Sequence, residues 1–301
     1  MSAIEFILSG MLAAATPFLL AALGELVAEK SGVMNLGLEG IMALGAVIGF
    51  ICVYHGGPHL LAFLAAGVIG VLAALILAVL ALEFRADQVA AGLAVGIFGQ
   101  GLAALIGKPY ESLTTTGLSQ IAIPGLASLP MVGGLFKQDA VTWLTLIAAL
   151  VIALVLSKSR LGLVIRAVGE NPQAARAIGY PVIRIRYATV AFGGLMAGFA
   201  GAYAATVYTP MWADGMIAGR GWIALALVVF GTWVTGRVFA GALLFGALSL
   251  AELAAQAKGV HLPSQLLAAM PYLVTIIILG VISSNKLRMK RNSVASLGKP
   301  F

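Results

Sequence analysis

Charged residues are scarce in this chain: Asp, Glu, Lys and Arg together make up 10% of its 301 residues. A soluble domain of that length leaves a large surface facing water and covers it with far more charge. Cysteine is scarcer still. The single Cys52 lies inside an apolar run, which excludes an internal disulfide and any Cys-rich metal site. The three histidines, His55, His59 and His261, fall in expected loops or at an interface and have no ligand partner at helical spacing. No GxxxxGK[ST] segment is present, so the chain has no P-loop to hold ATP. No apolar run pairs a nucleophilic Ser with a His, as an intramembrane serine protease requires. The chain is therefore expected to be no enzyme and to bind no metal or cofactor of its own.

What is abundant is hydrocarbon. Hydrophobic residues make up 61% of the sequence and the mean hydropathy is +1.05. Apolar runs fall at 4–24, 40–54, 60–82, 88–107, 140–157, 187–208, 218–234, 239–256 and 264–282. Several reach the ~20 residues that carry a helix across a bilayer, and helix is the form that pairs every backbone group within its own segment. The expectation is an all-α polytopic membrane protein, one domain over 1–301, with about nine spans and a range of eight to ten. The first run has no basic flank and no small-residue cleavage site, so it is expected to be a retained span, not a signal peptide. Small-residue pairs such as Gly92–Gly96, Gly194–Gly198 and Gly241 with Ala242 suit close helix packing.

Basic residues give the orientation. Lys158, Arg160, Arg166, Arg176, Arg184 and Arg186 crowd the segment 158–186, and Lys286, Arg288, Lys290, Arg291 and Lys299 crowd the tail 284–301. Placing both in the cytoplasm also places Lys30, Arg85 and Arg237 there, which leaves Lys108, Lys137, Arg220 and Lys258 outside. That solution needs an odd number of spans, an outer N-terminus and a cytoplasmic C-terminus. It also gives the net charge of +7 a membrane explanation in place of nucleic acid. The longest outer segment, 108–139, reads as loop with a short reentrant piece around Ile121–Leu129, and its length favours a docking role.

Two polar stretches interrupt the apolar runs. In "GELVAEKSGVMNLGLEG", Gly24 to Gly40, Glu25, Glu29, Lys30, Asn35 and Glu39 surround the turn signal Ser31-Gly32. An ordinary cytoplasmic connection fits, and so does a broken helix whose polar backbone lines a pathway. In "SRLGLVIRAVGENPQAARAIGYPVIRIR", Ser159 to Arg186, the core reads as a short helix. Asn171 suits the N-cap, Pro172 the first turn and Gly179 the left-handed C-terminal position, and Pro181 stops continuation. A two-turn helix over Pro172–Ile178, outside the lipid, must lie on the membrane surface or enter a partner.

The stretches "SGVMNLGLEGIMALGA", "RAVGENPQAARAIGY" and "GRGWIALALVVFG" together resemble the permease subunits of ATP-binding-cassette (ABC) importers of the branched-chain amino acid, ribose and simple-sugar superfamily. The nearest pattern is the shorter permease of nucleoside and simple-sugar importers, and the resemblance covers nearly the whole chain. It implies a type II-like importer bundle in a bacterial cytoplasmic membrane that moves nucleosides by alternating access. It implies ATPase subunits, which carry the ATP and Mg, a second homologous permease and an extracytoplasmic binding lipoprotein. The loop 158–186 becomes the coupling element, with Gly169, Glu170, Asn171, Pro172, Ala175, Arg176 and Gly179 as contacts for the ATPase. The resemblance shifts Gly24–Gly40 towards the translocation route. Asn35, Glu39, Gln100 and Trp222 are then pathway candidates, with Tyr203, Trp212 and Trp233 as further groups for a ribose or a base.

Three rivals remain. One is an ABC permease for a simple sugar or another small polar solute. Another is a stand-alone secondary transporter, which needs coupling carboxylates at mid-membrane; the expected spans contain only Glu252 well inside. The last is a structural or energy-coupling membrane component, which would hold no nucleotide-binding subunit.

Overall fold

The computed structural model describes residues 3–127, 133–257, 273–274 and 294–298. Among these described residues ten α-helices form: α1 Ala3–Lys30, α2 Leu38–Tyr54, α3 His59–Leu82, α4 Gln88–Gly107, α5 Ala140–Lys158, α6 Arg160–Glu170, α7 Pro172–Ala177, α8 Val182–Tyr203, α9 Arg220–Phe230 and α10 Thr235–Ala257. A wider turn, closed by the Thr209 N–H on the Ala204 carbonyl at 3.0 Å, extends α8 to Tyr208. Such i→i+5 turns mark places where a helix is locally unwound.

Among the described residues, six helices are long and apolar enough to cross a membrane. α2 and α9, with 17 and 11 residues, span about 25 Å and 16 Å at 1.5 Å per residue. The run 218–234 is therefore not a full crossing. Gly219 and Gly231 bound a half-length helix, and the chain reaches its start through the non-helical segment 209–219. The expected ninth span, 264–282, lies outside the described residues apart from Leu273 and Val274, as do His261 and most of the basic tail.

The bundle has a dense centre and a greasy surface. α1, α2 and α8 form the centre, and glycine sets their spacing. A side chain at Gly45 would meet the backbone of Gly198, and one at Gly194 would meet that of Gly70. Two of the small-residue pairs seen in the sequence lie at such approaches: Gly92 and Gly96 face 36–37, and Gly194 and Gly198 face α3, whereas Gly241 makes room for the side chain of Leu227. Outside, α3 exposes Leu64, Val68, Leu72 and Ile76, and α5 exposes Leu144, Ile147, Leu150 and Leu154. Contiguous apolar surface on this scale is stable only against lipid or another apolar chain. The fold is thus an integral-membrane helical bundle.

Its two ends differ. At one end Lys30, Arg85, Arg166, Trp233 and the α6–α7 hairpin come together. At the opposite end His55 meets the Tyr110 hydroxyl at 3.0 Å, Thr114 pairs with Met211, and Trp212 packs on Gly107. The segment expected to hold a reentrant piece forms a small antiparallel ribbon instead, β1 Gln120–Ala122 on β2 Lys137–Asp139. Ile121 is exposed and 124–127 is a turn; residues 128–129 are not among those described. Asp139 then caps α5 by accepting the Thr142 N–H at 2.9 Å.

Candidate functional site

The break after α1 is where the structure departs most from simple spans. Helix α1 does not end at 24. It continues to Lys30, so Glu25 and Glu29 are helical, and both are fully buried. Glu252 is thus not the only carboxyl inside a span. After the Ser31-Gly32 turn, residues 33–37 run non-helically beside α4. The Met34 N–H donates to Gln88 Oε1 at 2.9 Å, and Gly37 packs on Gly92 and Val95. Helix α2 then starts against Gly96. Buried, irregular backbone of this kind holds at membrane depth only where protein surrounds it. Helix α1 runs to the hairpin end and α2 runs back to the end that holds His55. Of the two readings left open, the connection between helices is therefore the one found, with its irregular backbone, 31–37, sunk among α1, α4 and α8.

Side chains secure the break. Glu25 Oε1 accepts the Asn35 N–H at 2.8 Å, and Asn35 Oδ1 accepts the Gly37 N–H at 3.0 Å, a local turn that asparagine favours. The remaining polar atoms of the same pair, Glu25 Oε2 and Asn35 Nδ2, are buried with no hydrogen-bond partner among the described residues. Glu29 accepts the indole N–H of Trp233, which ties α1 to the turn between α9 and α10.

One helical position beyond the break stands Glu39, 6% exposed. Its Oε1 accepts from Gln100 Nε2 at 2.7 Å. Its Oε2 accepts the backbone N–H of Gly219 at 3.0 Å and of Trp222 at 3.4 Å. The carboxylate therefore caps α9 from another helix, where the unpaired N–H groups and the helix dipole favour negative charge. Gln100 lies twelve residues along α4 from Gln88, or about 18 Å, so this junction sits deep in a bilayer core of about 30 Å. Gly219 has φ +81°, a left-handed conformation that glycine adopts without steric cost.

A cavity of about 160 Å³ opens beside this junction, lined by Glu39, Gln100, Trp212 and Asp214 together with Ala43, Ala103, Ala104 and residues 215–218. Pockets that enclose small organic ligands start near ~300 Å³, so in this conformation the cavity is a narrowing with a few polar groups on a largely apolar wall. Three of the four pathway candidates, Glu39, Gln100 and Trp222, meet here, Trp222 through its backbone. Asn35 stands apart, holding the break. Trp212 lines the cavity, whereas Tyr203 does not: its buried hydroxyl donates to Asp139 Oδ2 at 2.8 Å. Trp233 lies at the hairpin end. Arg220, expected on the outer face, stands with its guanidinium 5.6 Å from the Tyr208 ring centre, and its Nη1 is buried with no hydrogen-bond partner among the described residues.

The second constellation is the hairpin. Ser159 caps α6 through the Gly162 N–H at 3.0 Å, and Asn171 caps α7 through the Ala174 N–H at 2.9 Å. Gly179 adopts φ +91° just past the end of α7. Glu170, Asn171, Arg176 and Gly179 are exposed and Pro172 is half-buried, but Gly169 and Ala175 face inward. Any side chain at Gly169 would strike the Lys30 carbonyl. Sequence reasoning missed two exposed neighbours, Ile178 and Tyr180. It also missed a bridge at Arg186, whose Nε donates to the Ser31 carbonyl at 3.1 Å and whose Nη2 donates to Ser296 Oγ at 3.3 Å. Ser296 Oγ in turn donates to the Gly169 carbonyl at 2.5 Å. The hairpin and the break thus share one hydrogen-bonded strap.

Comparison with known proteins identifies the architecture. Residues 7–282 match the family described as branched-chain amino acid transport system / permease component. The chain belongs to this permease family. It is 37% identical to a putative glucose ABC transporter permease of Haloferax volcanii, over 94% of each chain. It is 34% identical to a guanosine ABC transporter permease of Bacillus subtilis, over 92% of this chain and 91% of that one. It is 30% identical to a nucleoside ABC transporter permease of Lactococcus lactis, over 97% and 96%. A solved inward-facing conformation of a putative metal-chelate type ABC transporter shares the fold, with a TM-score of 0.50 at 13% identity over 93% of this permease and 85% of that chain. This permease is accordingly an ABC transporter subunit, and membership of that class implies ATPase partner subunits.

Proposed function

We propose that this permease moves nucleosides through a bacterial cytoplasmic membrane as one half of an ATP-driven importer. A second homologous permease completes the route, and an extracytoplasmic binding lipoprotein delivers the solute to the end that carries the β1–β2 ribbon. The hairpin end is cytoplasmic, in keeping with its Lys and Arg content. The observation that carries this reading is Glu39. It joins the start of α2 to the start of a half-length helix at bilayer depth, beside a cavity with carboxylate, amide and indole groups. Such half-helix junctions are where transporters handle polar solutes.

The ATPase contact runs through the exposed edge of the hairpin, Glu170, Asn171, Pro172, Arg176 and Gly179. The inward-facing Gly169 and Ala175 serve that contact as its backing. Closure of the ATPase pair on ATP shifts the hairpin. The strap Gly169–Ser296–Arg186–Ser31 passes that shift to residues 31–37, and Glu39 passes it to α9. ATP supplies the free energy through its different affinity for the two states. Asn35 shapes the route by holding the break, and Gln100 and Trp222 line it. A simple-sugar substrate is the second reading, favoured by the Haloferax volcanii relative.

The test is purification of the tagged permease in mild detergent, followed by reconstitution of whatever copurifies. Recovery of an ATPase and a second permease, with ATP-dependent uptake of labelled guanosine, supports the proposal. Uptake of glucose alone supports the sugar reading. Recovery of a lone chain that transports without ATP overturns both.

A further inference from the structure

The polar groups around the cavity beside Glu39 are not equally available to a solute. Both carboxylate oxygens of Glu39 already accept, one from Gln100 and the other from the start of α9. The Gln100 amide donates back to Glu39. Trp212 is 3% exposed and fixed against Gly107, so it supplies a rigid wall. Asp214 differs. It lines the same cavity from the turn 214–219, where it is exposed. Gly215, with φ +71°, lets the chain reverse directly after it. Asp214 has no hydrogen bond or ion pair among the described residues. Carboxylates that face a cavity in a membrane protein mark the path of a solute, and this is the uncommitted one.

We propose that Asp214 selects the solute, its two oxygens accepting the adjacent 2′ and 3′ hydroxyls of a ribose as the nucleoside passes Glu39. The inference rests on the nucleoside reading given above. An ionised carboxylate accepts through two oxygens and donates nothing, which matches a vicinal diol, and carboxylates recognise ribose hydroxyls in this way elsewhere. At about 160 Å³ the cavity has roughly half the volume at which pockets begin to enclose small organic ligands. It admits one ring of the solute at a time, and the ring that carries two neighbouring hydroxyls is the sugar. The charge of Asp214 and Glu39 turns away a phosphorylated solute. Because the whole nucleoside fits only as the narrowing opens, the contact acts on the rate of passage, not on first capture by the binding protein.

The experiment is ATP-driven uptake of labelled guanosine and of 2′-deoxyguanosine by the copurified assembly in liposomes. Each solute is supplied at a concentration that saturates the binding protein, so that protein's own preference drops out. The native assembly is expected to carry guanosine about tenfold faster, the order of one hydrogen bond to an ionised acceptor. Asp214→Asn keeps the shape and a single acceptor oxygen. Guanosine uptake should then fall about tenfold, to the rate of 2′-deoxyguanosine, while 2′-deoxyguanosine loses about twofold at most. Equal rates for the two solutes in the native assembly overturn the proposal and leave the nucleoside reading standing. So do equal losses of both in the variant, which assign Asp214 to the base or to the turn alone. Uptake of neither solute by the native assembly overturns the nucleoside reading and this proposal with it.

Discussion

The two short helices α7 and α9 begin in opposite ways. α7 carries its own cap: Asn171 precedes it and accepts the Ala174 N–H three residues on. α9 has no side-chain cap of its own, and its first N–H groups are held by Glu39, 180 residues away in sequence. Local capping leaves α7 free to move as a unit with its hairpin. Remote capping makes α9 report the position of α2. On the proposed mechanism the contrast separates a part that is pushed from a part that follows.

Removing the remote cap has the largest expected effect. Glu39→Ala removes the charged acceptor of the half-buried Gly219 N–H and of the Gln100 amide, bonds worth about 1.5–3 kcal/mol each when one partner is ionised. Uptake by the reconstituted assembly is expected to fall about 100-fold, equivalent to about 2.7 kcal/mol. Glu39→Gln keeps an acceptor and should retain uptake within about tenfold of the native chain. Equal uptake by the alanine variant and the native chain would mean that α9 holds its place without Glu39.

Next come variants of the pushed part. Arg176→Glu inverts an exposed charge, and Gly179→Val places a β-branched residue at φ +91°, where strain is of order 1–3 kcal/mol. Both should insert normally and hydrolyse ATP while uptake drops about tenfold. Uptake at the native rate in both would detach the hairpin from coupling.

Asn35→Leu sharpens the comparison from the break between the two. It deletes the bond to the Gly37 N–H, worth about 1 kcal/mol. It is expected to lower uptake more than it lowers the yield of assembled complex, both measured on one preparation. Parallel losses would assign Asn35 to packing alone.

The smallest effect belongs to the local cap. Asn171→Ala should cost about 1 kcal/mol of hairpin stability and no more than about fivefold in uptake, with Asn171→Ser restoring most of it. A loss as large as that of Glu39→Ala would erase the difference between the two helices.

The local elements were legible because their causes lie within a few residues. Asn171, Pro172, Gly179 and Pro181 announce α7, and the structure departs from the expected Pro172–Ile178 only by making Ile178 the C-terminal flank. The long apolar runs announce the spans for the same reason. α6 was missed as a helix, although Ser159 stood ready as its cap. Its apolar residues resemble a span too short to cross, and only packing against α5 makes it half of a hairpin. Glu25 and Glu29 were missed as helical because charge reads as connection until a partner is known. Those partners, Asn35 and Trp233, lie 10 and 204 residues away.

The amino-acid sequence by itself thus determined that the protein lives in a membrane, where most of the long helices run and where the cap of α7 falls. Those properties follow from hydropathy and from hydrogen bonds between near neighbours. Tertiary structure alone decided that 31–37 is a buried break, that α9 is a half helix, and that Glu39 and Gln100 meet over Gly219. These depend on contacts between segments far apart in the chain, where a buried polar group takes whichever partner the packing of the helices brings to it.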